Sequence, residues 1–362
     1  MVENFGKYQL IEKIAEGGMA ELYLAKSSKF QGLEKYLIIK RILPCYSGSG
    51  ELVKMFINEA KINMNMSHSN IVSIFDFGIE NGRFFIAMEY VQGQNLRGLL
   101  KMLAVAGSEL SISEKIYIVA QAAAGLDYSH RCKDIVTSLP LNIIHRDVSP
   151  ENIMVNFEGN IKIIDFGVAV DSETNKRSAH EGKFSYMSPE QANAEDGLTA
   201  QTDIFSLGVV LWELLANTRM YTGSTRREVL RMAEKAEYKD IRRFNGKVSD
   251  ELSIIVKKAL EKEVANRYQS MNDFYIDLNK YLNINYPEFT TGLLKDKVSS
   301  VCQEGAVNIQ KMMESTTRGS VYETAVHTVN YGDATVVSDK KERRKITGKT
   351  FTKKKKRIKK AS

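Results

Sequence analysis

Between residues 143 and 167 the chain reads IIHRDVSPENIMVNFEGNIKIIDFG, and it gathers there the residue types that can do chemistry. Asp147 is followed by Asn152 and then by Asp165, each within or just beyond a polar cluster, HRDVSPEN and DFG. A carboxylate on a loop can orient a hydroxyl and take its proton. An amide oxygen and a second carboxylate suit a hard divalent cation. These are the parts that a phosphoryl-transfer site needs. Asp-Phe-Gly by itself recurs by chance; the fixed spacing of the two clusters is the stronger signal.

The stretch between the clusters says how they are held. IMVN, a Glu158-Gly159-Asn160 turn and the apolar run IKII predict a short hairpin. That places Asp147 and Asn152 on one loop and Asp165 just past a strand. Upstream, Tyr8 to Lys26 alternates on both sides of Glu16-Gly17-Gly18, which predicts two strands joined by a glycine-bearing turn. Lys40 ends the apolar strand YLIIK, residues 57–66 have helical spacing, and 70–80 and 83–90 read as two more strands. Ile112 to His130 is a long amphipathic helix, Arg131 to Leu141 a surface loop, and Asp203 stands at the start of the apolar helix TDIFSLGVVLWELL.

In this order the motifs resemble those of eukaryotic-like protein kinases, and in particular the bacterial serine/threonine kinases, over about residues 8–282. The resemblance implies an α+β fold of two lobes, a small β-rich N-lobe (8–90) and a larger, mainly helical C-lobe (93–282). Accessory helices are expected over 283–316 and a flexible tail over 317–362. It implies an ATP-dependent transfer of phosphoryl groups to protein serine and threonine hydroxyls. Asp147 then acts as base, and Asn152 and Asp165 hold Mg²⁺, with Mn²⁺ as an alternative. Ile14, Gly17, Gly18 and Leu22 cover the nucleotide, and Lys40, paired with Glu59, meets its phosphates. Met88 closes the back of an adenine pocket, and Glu89 to Val91 form a hinge that binds through its backbone. Arg146 pairs with a phosphate on the following segment, where Ser172, Thr174 and Ser178 are candidate acceptors. Asp203 braces the catalytic loop, and Arg267 pairs with Glu190 of Ser188-Pro189-Glu190.

Five positions here depart from the family pattern. Ala15 and Ala20 stand where the covering loop has glycines, and Asn63 stands where an apolar residue packs toward Phe166. Ser149 replaces a lysine two residues after the base, and Lys183 replaces a threonine further on. The two exchanges read as a compensating pair, with the Lys183 ammonium serving as the missing cation. The alternative reading is a nucleotide-binding pseudokinase scaffold.

Composition bounds these readings. Of 362 residues, 43% are apolar and 26% charged, a globular balance. The formal charge of +7 is unevenly spread: residues 340–362 carry thirteen Lys or Arg against Glu342 alone, which leaves residues 1–339 at −5. Such a basic arm does not pack. It fits electrostatic contact with nucleic acid or an anionic membrane face, or a solubility tail. A binding protein whose working part is that arm is a third reading. Cys45, Cys132 and Cys302 give neither a disulfide framework nor a zinc pattern. The start, MVENFGKYQL, lacks the form of a signal peptide, and no run reaches the ~18 apolar residues of a membrane span. The expectation is a cytoplasmic protein.

Overall fold

Strand pairing begins ahead of the expected start at Tyr8. Glu3–Phe5 (β1) turns back through Gly6 onto Tyr8–Glu16 (β2), and the Phe5 ring is fully buried, edge-on to Phe85 at 5.4 Å. The computed structural model describes residues 2–17, 19–30, 33–134, 136–166 and 183–302. They lie in one compact unit, Met1–Met313. Ala20–Phe30 (β3), Leu33–Ile42 (β4), Ile74–Glu80 (β5) and Arg83–Glu89 (β6) complete an antiparallel sheet of order β1-β2-β3-β4-β6-β5. Side chains alternate across such a sheet. On β4, Leu37, Ile39 and Arg41 are buried on one face, and Lys40 points to the other. Gly50–Met64 (α1) covers part of the sheet, packing Phe56 and Ala60 against Ala20 and Ile86.

The remaining described chain is mainly helical. Leu96–Val105 (α2) is capped by Asn95, whose side chain accepts from Gly98 N–H. Ile112–Arg131 (α3) opens on a capping box of Ser111 and Glu114. Pro189–Ala192 (α4), Ala200–Ala216 (α5), Arg226–Lys235 (α6), Asp250–Ala259 (α7) and Met271–Asn285 (α8) follow. Every residue from Thr202 to Leu215 is buried, which makes α5 the central helix of the lobe. A small antiparallel sheet of Gly93–Asn95 (β7), Ile153–Asn156 (β8) and Ile161–Ile163 (β9) carries the expected hairpin. At Gly93 a Cβ would stand 2.1 Å from the Val155 carbonyl oxygen, so only glycine lets β7 pass β8 there.

Two segments gain detail. The 131–141 loop is a small hairpin: Lys133 bridges Pro140, and Asp134 Oδ1 accepts from Thr137 N–H at 2.7 Å. Within the segment expected to hold accessory helices, 291–302 is helical (α9) and buries Leu294, Val298 and Cys302 in the main core. Gly18, residues 167–182 with the candidate acceptors Ser172, Thr174 and Ser178, and the basic tail lie outside the described residues. Among the described residues no helix is long and apolar enough to cross a membrane.

Candidate active site

The loop that carries Asp147 is hung from α5. Asp203 is fully buried near the start of that helix, and its carboxylate accepts from the backbone N–H groups of His145 and Arg146, both at 2.8 Å. It also receives His130 Nε2 at 2.7 Å, from the last turn of α3. Burial alone would push the Asp203 carboxyl up; the hydrogen bond and charge of His130 and the backbone donors outweigh it and hold it below the usual range. Nothing in the sequence marked His130 for this, because its partner is remote in the chain.

His145 then orders the chemistry-bearing residues. Asp147 N–H donates to its Nδ1 at 3.2 Å, so the ring proton sits on Nε2 and is donated to the Ile164 carbonyl at 3.0 Å. The ring packs on Phe166, 4.7 Å between centroids. One imidazole thus joins the Asp147 loop to the strand end that leads into Asp165. Both Arg146 (φ 64°) and Asp165 (φ 56°) occupy the left-handed region, a conformation that non-glycine residues keep only where their surroundings impose it. For Arg146 those surroundings are Asp203 on its N–H and Gln191 Nε2 on its carbonyl at 2.9 Å.

Asn152 is 6% exposed, and its Nδ2 donates both to the Asp147 carbonyl at 2.7 Å and to Asp147 Oδ2 at 2.9 Å. Both partners are acceptors, so the nitrogen is fixed there and the amide oxygen is turned away from Asp147. The Ile164 N–H donates to the Asn152 carbonyl at 3.0 Å, bringing the Asp165 strand against the same loop. Asn152 and Asp165 offer oxygen donors of the hard type. Among the described residues no cluster of three or more His, Cys, Asp or Glu could hold an ion alone. Two protein oxygens completed by phosphate and water fit Mg²⁺-type coordination.

Lys40 crosses to this group from the sheet. Its ammonium lies 2.6 Å from Glu59 Oε1 on α1 and 3.0 Å from Asp165 Oδ1. Burial works against the charge, but the two carboxylates win and keep Lys40 protonated. Burial also pushes Glu59 up, Asp165 adds to that, and only Lys40 holds it down. Asn63 donates to the Glu59 carbonyl at 2.8 Å, so its amide is spent within α1.

The other expected nucleotide residues lie around Lys40. Leu22 pairs with Lys40 across β3 and β4 and with Ala15 across β2 and β3. Gly17 N–H donates to the Ala20 carbonyl at 2.8 Å, closing the turn, while Ile14 is 51% exposed at its approach. Met88 packs with the α1 cluster, and Val91 is buried. Glu89 was expected to matter through its backbone alone. Its side chain also receives Ser73 N–H at 3.2 Å and the Lys162 ammonium at 3.0 Å, tying the hinge to β9. Ser149 is 1% exposed, and its Oγ has no hydrogen-bond partner among the described residues. Lys183 begins a short turn, Lys183–Tyr186; its side chain lies outside the description.

At the end of that turn, the Tyr186 hydroxyl donates to Glu213 Oε2 at 2.6 Å and accepts from Arg219 Nη1 at 2.6 Å, while Arg97 reaches both it and Glu151. Glu190 takes a two-pronged bond from Arg267, 2.9 and 3.0 Å, and a third from Thr202 Oγ1 at 2.9 Å.

The protein kinase domain family model matches residues 8–275. The chain belongs to the protein kinase family. The kinase is 32% identical over 286 residues to the tyrosine-protein kinase MasK of Myxococcus xanthus, covering 78% of this chain and 44% of MasK. It is also 32% identical over 277 residues to the serine/threonine-protein kinase PrkC of Bacillus subtilis, covering 75% of this chain and 40% of PrkC. The chain therefore matches less than half the length of either relative. The crystal structure of the Mycobacterium tuberculosis PknI kinase domain superposes with a TM-score of 0.57 at 22% identity, over 77% of this chain and 97% of that one, and shows the shared fold.

Proposed function

We propose that this kinase transfers the γ-phosphoryl group of ATP to serine and threonine hydroxyls of proteins. The observation that carries the reading is the Lys40 ammonium held between Glu59 and Asp165, with Asp165 joined through Ile164 to the Asn152–Asp147 pair. Lys40 orients the phosphates, and Glu59 fixes Lys40. Asp147, steadied by Asn152, orients the acceptor hydroxyl and takes its proton. The amide oxygen of Asn152 and the Asp165 carboxylate would hold Mg²⁺, which neutralises charge on the phosphates when bound. Backbone groups of Glu89 and Val91 meet the adenine edge, and the Val91 N–H has no backbone partner among the described residues. Arg146 orders the segment after Asp165 by meeting a phosphate there. Lys183 supplies the cation that Ser149 does not.

Supporting the serine/threonine class are PrkC and related bacterial kinases; MasK is named for tyrosine. A cytoplasmic location belongs to this reading, since ATP is the donor and Cys45, Cys132 and Cys302 are all free thiols. The test is intact mass after incubation with ATP and Mg²⁺, beside Asp147→Asn and Lys40→Met. Mass gained in whole phosphates by the wild type alone is expected, with the label mapped to serine or threonine. Label confined to tyrosine would move the acceptor class to that of MasK. No gain, with nucleotide still bound, would replace the enzyme reading by the scaffold.

A further inference from the structure

One carboxylate on the face of the sheet opposite Lys40 collects cations from three strands. Glu21, on β3, is 6% exposed. Its Oε1 accepts from Arg41 Nε on β4 at 2.8 Å and from Arg83 Nη1 on β6 at 3.0 Å. Its Oε2 accepts from the Tyr23 hydroxyl at 3.1 Å and lies 3.1 Å from the Lys13 ammonium on β2. Arg41 also reaches Glu3 on β1 at 2.7 Å, so the ladder spans five of the six strands. Lys13 carries it one step further by pairing with Glu16, the last residue of β2, next to Gly17.

The register shows why such a tie is needed. Glu21 pairs with Arg41 and Leu22 with Lys40, so the ladder clamps the same two strands that present Lys40, from behind. The β2–β3 pairing is irregular between Leu10 and Glu12 and again between Lys13 and Ala15, just before the turn. At such irregularities the ladder hydrogen bonds are interrupted and the strand is freer to bend. The Lys13 side chain bridges the second of them.

We propose that Lys13 and Glu21 are positioning residues for the nucleotide. Lys13 transmits the fixed sheet to Glu16–Gly17 and so sets where the turn backbone stands above Lys40. Neither side chain lies on the Lys40 face, so the effect passes through the backbone of the turn. The proposal rests on the kinase reading, which makes that turn the cover of the phosphates.

Lys13→Ala and Arg83→Ala test it as a matched pair. Each removes one cation from Glu21, and both side chains are partly exposed, 38% and 24%, so folding is retained. Only Lys13 reaches Glu16. Lys13→Ala is expected to weaken Mg·ADP binding about threefold, the size of one partly exposed ion pair. It should raise KM for ATP by the same factor with kcat unchanged, and speed amide exchange at residues 15–17 and 19–20 in the nucleotide-free protein. Arg83→Ala should leave all three as they are, and Lys13→Arg should restore them. Equal losses in the two alanine variants would overturn the proposal, since Glu21 would then serve general stability. Unchanged exchange or unchanged nucleotide affinity in Lys13→Ala would also overturn it. The exchange arm reads the tie without any phosphoryl transfer. A failure of the kinase reading shows separately, as wild-type protein that neither binds Mg·ADP nor gains phosphate.

Discussion

At the scale of single residues, the proposed mechanism turns on one exchanged cation. Ser149 sits two residues from the proposed base with a buried hydroxyl that lacks a partner among the described residues, an arrangement that costs free energy unless something meets it. An ammonium from Lys183, or a phosphate oxygen, would meet it. Lys183→Ala should therefore lower kcat on a peptide acceptor about 10²-fold, the usual loss for one preorganised charge-stabilising donor. Ser149→Lys placed in that variant should return most of the rate, because only the position of the cation has changed. A double variant as slow as Lys183→Ala, with wild-type ATP affinity, would show the two positions are not equivalent. The grouping of Asp147, Asn152 and Asp165 was legible in the sequence because the three flank the two ends of one short hairpin. His130 and Lys162 were not legible: each acts on a partner on a distant segment, Asp203 and Glu89, and only the folded chain brings them together. Asn63 stands where the family has an apolar residue packing toward Phe166, yet its amide nitrogen donates to the Glu59 carbonyl one turn back and Glu59 still reaches Lys40.

Between elements, buried ionic joints hold the large lobe in register. Glu190 at the start of α4 and Arg267 before α8 are both nearly inaccessible, and Arg267 adds bonds to the carbonyls of Glu261, Lys262 and Gln201. Burial pushes the Glu190 carboxyl up, but the hydrogen bonds and charge of Arg267 outweigh it, and it lies below its ordinary value of 4.5. A folded value below the unfolded one means the pair stabilises fully above about pH 4.5 and loses that contribution as pH falls through the lowered folded value. Glu190→Gln should cost about 3–5 kcal/mol near neutral pH, the usual penalty for breaking a buried pair. Denaturation midpoints of variant and wild type should converge as the pH is taken from 7 toward 3. A gap that stays constant to pH 3 would mean that shape, not charge, carries the joint. The order of elements could be read from hydrophobic period and turn residues, and this joint from the resemblance. β1 could not, since three residues are too few for a period to show; its evidence is Phe5 buried against Phe85.

Over the whole molecule, the folded body extends past the stretch that the family match covers. That match ends at residue 275, yet α9 buries Leu294 and Val298 completely and Cys302 to 2% exposure. Phe289 leads into it against Tyr117 of α3, 5.2 Å between centroids, and Cys302 Sγ approaches Met102 Sδ of α2 at 3.9 Å. Lys295 pairs with Glu158 at 2.5 Å, and a Cβ on Gly159 (φ 79°) would come within 2.9 Å of the Thr291 carbonyl oxygen. The helix therefore braces the turn between β8 and β9, the hairpin that carries Asn152 and Asp165 at its ends. The uneven apolar spacing of this stretch hid its role, because three inward residues at intervals of four cover only a narrow stripe. Leu294→Ala should cost about 2–5 kcal/mol, a large-to-small change at a fully buried site. Ile254→Ala, at a position 64% exposed on α7, should cost within about 0.5 kcal/mol and serves as the comparison. Urea denaturation with a shared slope would read both. If Leu294→Ala shifted the midpoint no more than Ile254→Ala, α9 would lie outside the cooperative body, and the brace on the β8–β9 hairpin would be lost with it.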